Sequence, residues 1–535
     1  MSALATAPTD QRGRARISGG GVDIGAVEMT TFLVTNVNNT GTGSLRSAIN
    51  LANAAGSGDV LFSTLFDTSK FITLTSGEIQ VTGSLNITGP TVPGNLSPLV
   101  NITQIGGGRI FNLAPAAAAT MSFRNLTLLA GNTSANLPAD QDGGNILVSA
   151  NADATFRDCI ISGGNCATAD GGNFRVLFGG ILRTEDCRIT SGIAWRGGNC
   201  FNGGEIQLKR SFLGNGHAST RGGGLCNLAS GGLTNCTFSG NEALGDGGGI
   251  YNLSAPAVML DLRHCTIANN RANTDNTGSD SGGGIRRFSG IVSLKNCLIQ
   301  ENQLGNAALA PRDDISGVLT TLGNNLIGTG FTNGVPSAEG DITGTPAIPW
   351  PSAIGELGFF GGRTELYSIG CNSAALDAGD DSGATATDQR GLPRRSGDAV
   401  DIGSYELQPE SYDFWVGYHF NAGATLTGQL DDKDGDGTVN GLEYVFGLNP
   451  TSRDQASALI AIRDGDTFTL RVPISPLSLP TSYRVEFSTN LLSWNLAPET
   501  TVVESATTAA CITDFSLLLP GEPAAFGRIV YIPQP

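Results

Sequence analysis

Oxygen-bearing side chains stand at alternate positions in the segment DKDGDGTVNGLE, residues 432–443. Asp432, Asp434 and Asp436 supply three carboxylates, and Glu443 supplies a fourth at the end of the segment. Carboxylates this close together repel one another unless a cation neutralises them. Calcium is a hard cation that takes oxygen ligands from a loop wrapped around it. The spacing therefore predicts a structural calcium site.

These twelve residues resemble the loop of an EF-hand at each key position. Gly437 stands at the sharp turn, Thr438 would ligate through its backbone carbonyl, and Asn440 would ligate through water. Glu443 would bind through both carboxylate oxygens. The preceding residues, NAGATLTGQLD, have no helical pattern. The loop therefore resembles the lone loops of dockerin-type or thrombospondin-type linkers rather than a paired sensor, and the alternative is an exposed acidic turn.

Two further carboxylates, Asp158 and Asp186, occupy the same position in consecutive copies of a repeat. Stacked one strand apart they would lie about 5 Å from each other, which suits a retaining glycosidase. The other interpretation is a solvated strip in which nearby Arg183, Arg188 and Lys209 neutralise them. We favour the strip, because the Asp-Asp, Gly-His-Gly and Arg-x-Lys pattern of polygalacturonases is absent and the three histidines show no Ser-His-Asp order. The two aspartates are nevertheless the candidate catalytic residues of this chain.

A pair of glycines recurs every 25 to 28 residues through the middle of the chain, with one longer interval of 35. The first glycines of the pairs are Gly143, Gly171, Gly197, Gly222, Gly247 and Gly282. A second column holds Cys159, Cys187, Ser211, Cys236, Cys265 and Cys297. An apolar residue follows three positions after each glycine and two positions after each member of the second column. Like residues at a fixed period indicate stacked structural repeats.

Each apolar stretch alternates with period two, which is typical of a strand with one buried face. Glycine and asparagine between the stretches permit tight corners. Two or three strands in each repeat predict an all-β fold, a right-handed parallel β-helix whose coils supply one another's core. A β-propeller needs blades of about 40 residues, and neither a β-sandwich nor a leucine-rich repeat fits this register. The repeats allow roughly eleven coils and a length of about 50 Å.

The chain divides into five predicted parts. Residues 44–56 form an amphipathic helix whose apolar stripe is Leu45, Ala48, Ile49 and Ala52, and we expect it to cap the open solenoid end. Residues from 457 onward alternate apolar and polar, which favours a small β-sandwich. The parts are 1–28, the tail of a preceding repeat unit; 29–60, the N-terminal cap; 61–406, the β-helix; 407–456, the linker with the calcium loop; and 457–535, the C-terminal β-sandwich.

The chain has ten cysteines. Five lie in the second column, and Cys200 lies in the inward column after the glycines. Small apolar thiols suit a crowded ladder, and neighbours in a parallel ladder have poor disulfide geometry, so we predict buried free thiols. Cys166, Cys226, Cys371 and Cys511 have no assigned place, and their disulfide state stays open. No cysteine has a partner at zinc-binding spacing.

Residues 9–28, TDQRGRARISGGGVDIGAVE, repeat the pattern of residues 387–406, TDQRGLPRRSGDAVDIGSYE. We interpret the opening as the tail of an earlier copy of the same unit. The second copy resembles the choice-of-anchor Q domain of bacterial exported β-helix proteins, and residues 30–63 are similar to the start of the same surface repeats. The GGG(I/L) and FSGN/IANN pairs resemble the repeats of chlamydial polymorphic outer-membrane proteins. These resemblances imply an extracellular or bacterial cell-surface location.

The formal net charge of -17 argues against a nucleic-acid partner or an anionic membrane. No run of eighteen apolar residues predicts a membrane span, and the first residues contain no hydrophobic signal core. We expect an adhesin or cell-envelope scaffold whose partner is an extracellular surface or a polysaccharide, and we favour a role without catalysis. The alternative is a polysaccharide lyase, a glycoside hydrolase or a non-catalytic glycan-binding protein acting on the outer face of the coils. The ligand and the oligomeric state stay open.

Overall fold

Parallel strands stacked in register build a β-solenoid of about ten turns, which confirms the predicted all-β fold. The computed structural model describes residues 30–92, 97–136, 141–307, 310–329, 338–345, 349–370, 373–397 and 399–408. Between 412 and 531 it describes residues 412, 416, 420, 425–446, 448, 450–451, 453, 460–473, 483–489, 491–493, 495–496, 502–504, 512–518 and 526–531. The expected repeat tail at 1–28, and Cys371 and Cys511, lie outside the described residues.

Two sheets of eleven strands run the length of the solenoid. Sheet 1 contains, in spatial order, Thr31–Val34, Ser57–Phe62, Ser84–Thr88, Ala119–Arg124, Ala152–Arg157, Ile181–Glu185, Glu205–Lys209, Ser230–Thr234, Met259–Arg263, Ile291–Lys295 and Thr320–Thr321. Sheet 2 contains Lys70–Leu74, Val100–Gln104, Leu126–Leu129, Ile160–Ser162, Arg188–Thr190, Phe212–Gly214, Thr237–Ser239, Thr266–Ala268, Leu298–Gln300, Leu326–Ile327 and Ile342–Thr343.

Two shorter sheets complete the coils. Sheet 3 contains Ile79–Val81, Phe111–Leu113, Ile146–Val148, Phe174–Val176, Cys200–Asn202, Leu225–Asn227, Ile250–Leu253, Ile285–Ser289 and Ile315–Ser316. Sheet 4 contains Asn165–Asp170, Ile193–Arg196, His217–Arg221, Glu242–Ala243, Arg271–Ala272 and Gln303–Leu304. Alternate residues of sheets 1, 2 and 3 point inward and form one continuous apolar core.

Corners between sheets 1 and 2 use a left-handed residue directly before each member of the second column. The φ angle there lies between 45° and 57° at Asp158, Asp186, Arg210, Asn235, His264 and Asn296. Asparagine and aspartate tolerate this region best among residues with a Cβ, and they fill four of the six corners. The glycine pairs make the other tight corner: Gly171 has a φ of 76°, and a Cβ there would lie 2.1 Å from the backbone oxygen of Phe174.

The helix Leu45–Ala55 packs against the first strands of sheets 1 and 3. Its buried residues are the predicted stripe: Leu45, Ala48, Ile49 and Ala52. The Ser44 side chain accepts a hydrogen bond from the Ser47 N–H at its start, and Gly56 ends it with a φ of 75°. A short 3-10 helix, Thr64–Phe66, follows on the first coil.

Buried asparagines form a continuous hydrogen-bonded ladder inside the solenoid. Its members, in order along the axis, are Asn145, Asn173, Asn199, Asn241, Asn270 and Asn302, and it ends on Asp314. Each amide nitrogen donates to the side-chain oxygen of the next member at 2.7–3.0 Å. No member is more than 1% exposed, so these bonds take the place of water for every amide in the line.

The ladder changes its source in the sequence between Asn199 and Asn241. The first three asparagines follow the glycine pairs, whereas the last three stand five residues after a cysteine. Glycine occupies the facing position in both cases: a Cβ at Gly216 would lie 2.6 Å from the Asn199 amide nitrogen, and one at Gly249 would lie 3.2 Å from that of Asn270. Asparagines from two different positions of the repeat thus continue the same line. At each position the facing residue is glycine, which leaves room for the asparagine side chain.

The thiols of the second column are stacked inside the core as predicted. Cys236, Cys265 and Cys297 are fully buried, and each thiol donates at 3.4 Å to the backbone carbonyl two residues before it. Eight cysteines are free and buried among the described residues. Cys166 and Cys226, which had no assigned place, are both 0% exposed. Cys226 packs between Phe201 and Tyr251 in a separate cluster on the outer face of sheet 3.

These buried thiols should not react with a maleimide in the folded protein. Burial raises the pKa of Cys166, Cys200 and Cys226 to about 12, and only a thiolate that reaches solvent is nucleophilic. Urea should release them together with unfolding. Peptide mapping of maleimide-treated native protein measures this cysteine by cysteine. Rapid native labelling of the peptide containing Cys236 or Cys265 would contradict the stacked ladder.

The C-terminal part contains two small antiparallel sheets. One contains Ile460–Asp464, Thr467–Pro473, Ile512–Leu518 and Val502–Glu504, and the other contains Asn495–Leu496, Tyr483–Ser488 and Phe526–Tyr531. The rings of Phe468 and Phe487 meet edge to face, 5.5 Å apart between centroids, and join the two sheets. A separate hairpin, Leu357–Gly358 with Leu366–Tyr367, follows the last coils.

Candidate functional sites

Residues 432–439 fold as a tight loop that leads into the helix Asn440–Phe446, whose first turn contains the last four residues of the motif. Gly437 has a φ of 99°, so the sharp turn falls at the predicted glycine. One carboxylate oxygen from each of Asp432, Asp434 and Asp436 lies within 4.8 Å of the other two. The loop therefore brings three of the predicted ligands together around one point.

Backbone N–H groups of the loop donate hydrogen bonds to some of the oxygens of these carboxylates but not to all of them. Asp432 accepts from Gly435 N at 2.8 Å, and Oδ1 of Asp436 accepts from Thr438 N at 2.7 Å. The Oδ2 atoms of Asp434 and Asp436 are buried and have no hydrogen-bond partner. Burying a charged oxygen without a partner is costly, and a calcium ion in the loop would satisfy both. The donor set therefore fits a hard cation.

The two predicted ligands at the end of the loop are fully buried. Glu443 lies in the first turn of the helix and is 0% exposed. Asn440 braces the loop: its Nδ2 donates to the carbonyls of Leu426 and Gly428 at 3.1 and 3.0 Å, and its Oδ1 accepts from Lys433 N at 3.3 Å. Ligation by Glu443, by Asn440 through water and by the Thr438 carbonyl stays a prediction.

Removing calcium should destabilise the C-terminal part and leave the solenoid unchanged. A ligand that binds only the folded state at a hundred times its Kd stabilises it by about 2.7 kcal/mol, and this contribution disappears with EGTA. Differential scanning calorimetry with and without chelator measures both transitions. Glu443→Gln should make the unfolding transition of the C-terminal part insensitive to EGTA. Equal shifts of both transitions, or no shift of either, would contradict the site.

Asp158 and Asp186 lie at left-handed corners of adjacent coils, and arginines neutralise both. Asp158 is 6% exposed and pairs with Arg124 at 3.0 Å and with Arg363 at 3.2 Å. Asp186 accepts two bonds from one guanidinium, that of Arg210, at 2.8 and 2.7 Å. Neutralisation by arginines agrees with the favoured interpretation, but Asp158 is not solvated. The arginines themselves are different from the expected ones, because Arg183, Arg188 and Lys209 pair with Asp153, Glu365 and Glu185.

The line of corners is covered by a later segment of the chain, which we call the strap: residues 363–370, 373–397 and 399–406. Its contacts with sheet 2 and the corners begin at Asp158 and Arg188 and end at Asn324, in the order of the coils. The pairs in between are Thr364 with Arg210, Thr387 with Asn235, Gln389 with Thr237, Tyr367 with Ser239 and Asn269, Ser404 with Thr266, and Asp380 with Asn296. The expected solvated strip is therefore an internal interface.

The second copy of the repeated TDQRG segment, residues 387–406, contains a buried polar cluster. Asp388 pairs with Arg390, and Glu406 lies 3.9 Å from Arg394. A third buried carboxylate, that of Asp401, accepts from the backbone N–H groups of Asp377 and Leu407. Arg390 Nε donates to Asp388 at 2.7 Å, and its guanidinium lies 4.0 Å from the Tyr405 ring centroid. Arg394 is 1% exposed and reaches Asn235 on the solenoid. The motif thus supplies both the fold of the strap and its attachment.

Docking of the strap should weaken as the pH rises from about 4.5 to 8. Burial and the neighbouring Asp401 raise the pKa of Glu406 to about 8, and burial raises that of Asp401 to about 6. Because both folded values lie above the unfolded ones, the folded protein binds these protons more tightly, and the stability is lost as the pH rises through them. Thermal melts across this range measure the slope, which Glu406→Gln should reduce. A melting temperature that rises from pH 6 to 8 would contradict the assignment.

The strap is the feature that sequence reasoning missed. The DQRG motif was visible, but its position after the last repeats favoured an end of the β-helix rather than a segment that folds back. The segment does contain residues typical of a buried face, since Ile369, Ala375 and Ile402 are apolar residues within a polar stretch. These residues pack on Leu298 and Leu326, on the outer side of sheet 2.

No protein-family model matches the sequence, and comparison with curated proteins finds no match. In the part of the chain that the structure describes, no helix is long and apolar enough to cross a membrane. The fold itself makes this chain a parallel β-solenoid repeat protein. The specific repeat resemblances and the location that they imply stay predictions.

Proposed function

We propose that this chain is an extracellular or cell-surface β-solenoid that serves in adhesion or as a scaffold of the cell envelope. The observation that carries the proposal is the asymmetry of the rod. The strap covers the flank formed by sheet 2 from the coil of Arg188 to that of Asn324. Alternate residues of sheet 1 remain at least partly exposed from Thr31–Val34 to Met259–Arg263. A long, regular and exposed sheet suits an extended partner, as in other solenoids.

A structural calcium ion forms part of this proposal. In the sequence, the segment 432–443 follows the strap and precedes the C-terminal sheets. Its helix contributes Tyr444 and Val445 to a small core with Tyr412 and Phe420. Since the loop is rich in carboxylates, calcium would let it keep one conformation outside the cell, where the free ion is abundant. Asp432, Asp434, Asp436, Thr438, Asn440 and Glu443 are the residues that would hold it.

Protease treatment of intact cells of the source organism tests the location. Proteinase K added outside should remove the protein from the cells, while a cytoplasmic marker protein in the same sample stays intact. Antibody against the solenoid should also label unpermeabilised cells. Recovery of the protein only in the cytoplasmic fraction, protected from the protease, would overturn the proposal.

Catalysis by Asp158 and Asp186 receives no support from their geometry. A retaining glycosidase needs one carboxylate as an acid and the other as a nucleophile, both facing the sugar. Here each is held by an arginine, and the strap lies over the corner line. Release of unsaturated uronides from pectin by the purified protein would show that this conclusion is wrong.

A further inference from the structure

A groove of about 530 Å³ lies on the outer face of sheet 1, across the strands from Ser57–Phe62 to Ile181–Glu185. Its floor contains the hydroxyl side chains of Ser122 and Thr155, which are register partners on adjacent strands. Five strands span four inter-strand spacings, so the groove is about 19 Å long. It is an open channel rather than an enclosed pocket.

One column of outward residues explains why the sheet is concave here. The column runs in register from Asp59 through Asn86, Ser122 and Thr155 to Arg183. Short side chains occupy its middle, and a longer arginine stands at one end. The depression therefore follows from side-chain size on a regular sheet, and strand spacing sets its length.

Two arginines lie side by side on one edge of the groove. Arg124 and Arg157 are register partners, and carboxylates at the corner hold each of them, Asp158 for Arg124 at 3.0 Å and Glu185 for Arg157. Their side chains are still 51% and 46% exposed. A guanidinium has five N–H donors, and one carboxylate accepts two at most. The ion pairs therefore fix both guanidiniums and leave donors that face the groove.

Two carboxylates supply acceptors in the same groove. The Asp153 carboxylate lines the groove and is held by Arg183 at 3.1 Å, and the Asp59 carboxylate accepts from the Asn86 amide at 2.8 Å. Fixed donors and acceptors around hydroxyl side chains match a ligand that carries many hydroxyl groups, because each hydroxyl both donates and accepts. A uniformly charged polymer would meet like charge, either at the two aspartates or at the arginines.

We propose that this groove binds an extended, uncharged oligosaccharide through its hydroxyl groups. This proposal rests on the adhesive function proposed above, because the cell-surface location would bring the protein into contact with the oligosaccharide. The chemistry is that of a binding site, since the groove holds each carboxylate next to a hydrogen-bond donor.

Isothermal titration of the full chain with purified neutral oligosaccharides, including glucans, mannans, xylans and chitin fragments, tests the proposal. At least one should bind with a Kd in the millimolar range or below. Thr155→Trp fills the floor of the groove and should weaken that binding at least about tenfold. Gln207→Trp is the matched control, because Gln207 is exposed in the same column, next to Arg183 and beyond the groove.

Three outcomes would overturn the site. They are no binding of any neutral oligosaccharide at millimolar concentration, equal weakening by both tryptophan variants, and binding of oligouronates alone. Circular dichroism of both variants establishes that the solenoid is folded. If the protein is found on the cell surface but does not bind oligosaccharide, only the proposal of the groove fails. If it binds oligosaccharide but is cytoplasmic, only the proposed location fails.

Discussion

Asn199→Ala should destabilise the solenoid by about 3 kcal/mol or more, a large part of the stability of an ordinary domain. The Asn199 side chain accepts from Gly192 N at 3.0 Å and from Asn173, and it donates to Gly214 O at 3.0 Å and to Asn241. Alanine leaves the buried Gly192 N–H without its acceptor and removes one partner from each of the other three groups. The ladder is then interrupted in its middle.

Urea unfolding followed by far-UV circular dichroism measures the loss as a lower midpoint. Asn86→Ala is the control, because Asn86 is an exposed asparagine of sheet 1 whose amide bonds to Asp59 at the surface. This change should stay within about 0.5 kcal/mol of the natural protein. Equal midpoints for the two variants would show that the ladder contributes little to stability.

Arg394→Met should release the strap while the solenoid stays folded. Arg394 donates to Gly403 O at 3.1 Å, contacts Asn235 across the interface and lies 3.9 Å from Glu406. Methionine has a similar volume but cannot donate to the buried oxygens of Gly403 and Asn235. A hydrogen bond that involves a charged group contributes about 1.5–3 kcal/mol, and here the loss falls on the strap interface.

Hydrogen–deuterium exchange measures this prediction segment by segment. Amides of residues 363–406 should exchange faster in Arg394→Met, and those of the asparagine ladder should not change. Arg395→Met is a close control, because the neighbouring Arg395 is 60% exposed and pairs with Asp381 at the surface, where ion pairs contribute about 1 kcal/mol or less. Unchanged exchange across the strap in the Arg394 variant would show that the cluster does not hold it.

A covered flank and an exposed flank give the two long sides of this rod different uses. Sheet 2 and the corners provide the surface on which the strap lies, and its candidate carboxylates serve in ion pairs there. From Ala152–Arg157 to Glu205–Lys209, sheet 1 keeps its outward side chains in contact with solvent. The proposed oligosaccharide groove lies on this second side, so ligand binding and attachment of the strap use different residues.

Residue spacing alone was sufficient to predict the solenoid, its core columns, its buried thiols and the turn of the acidic loop. This is because a parallel coil repeats its environment at each turn, so that an inward position demands the same kind of residue every 25 to 28 residues. The glycine at 437 is a local requirement of the same kind, since its φ of 99° excludes other residues. Constraints of these two kinds involve residues at a fixed period or close together in the chain, so the sequence shows them directly.

Only the tertiary structure decided where the strap lies and what the corner aspartates contact. Asp158 meets Arg363, more than two hundred residues later, and Asn235 meets Arg394. Such contacts join segments without a common period, so neither partner's spacing indicates the other. The same holds for the ladder, in which Asn199 and Asn241 come from different columns and become neighbours only when the coils stack. Long-range pairing is set by how the whole chain packs.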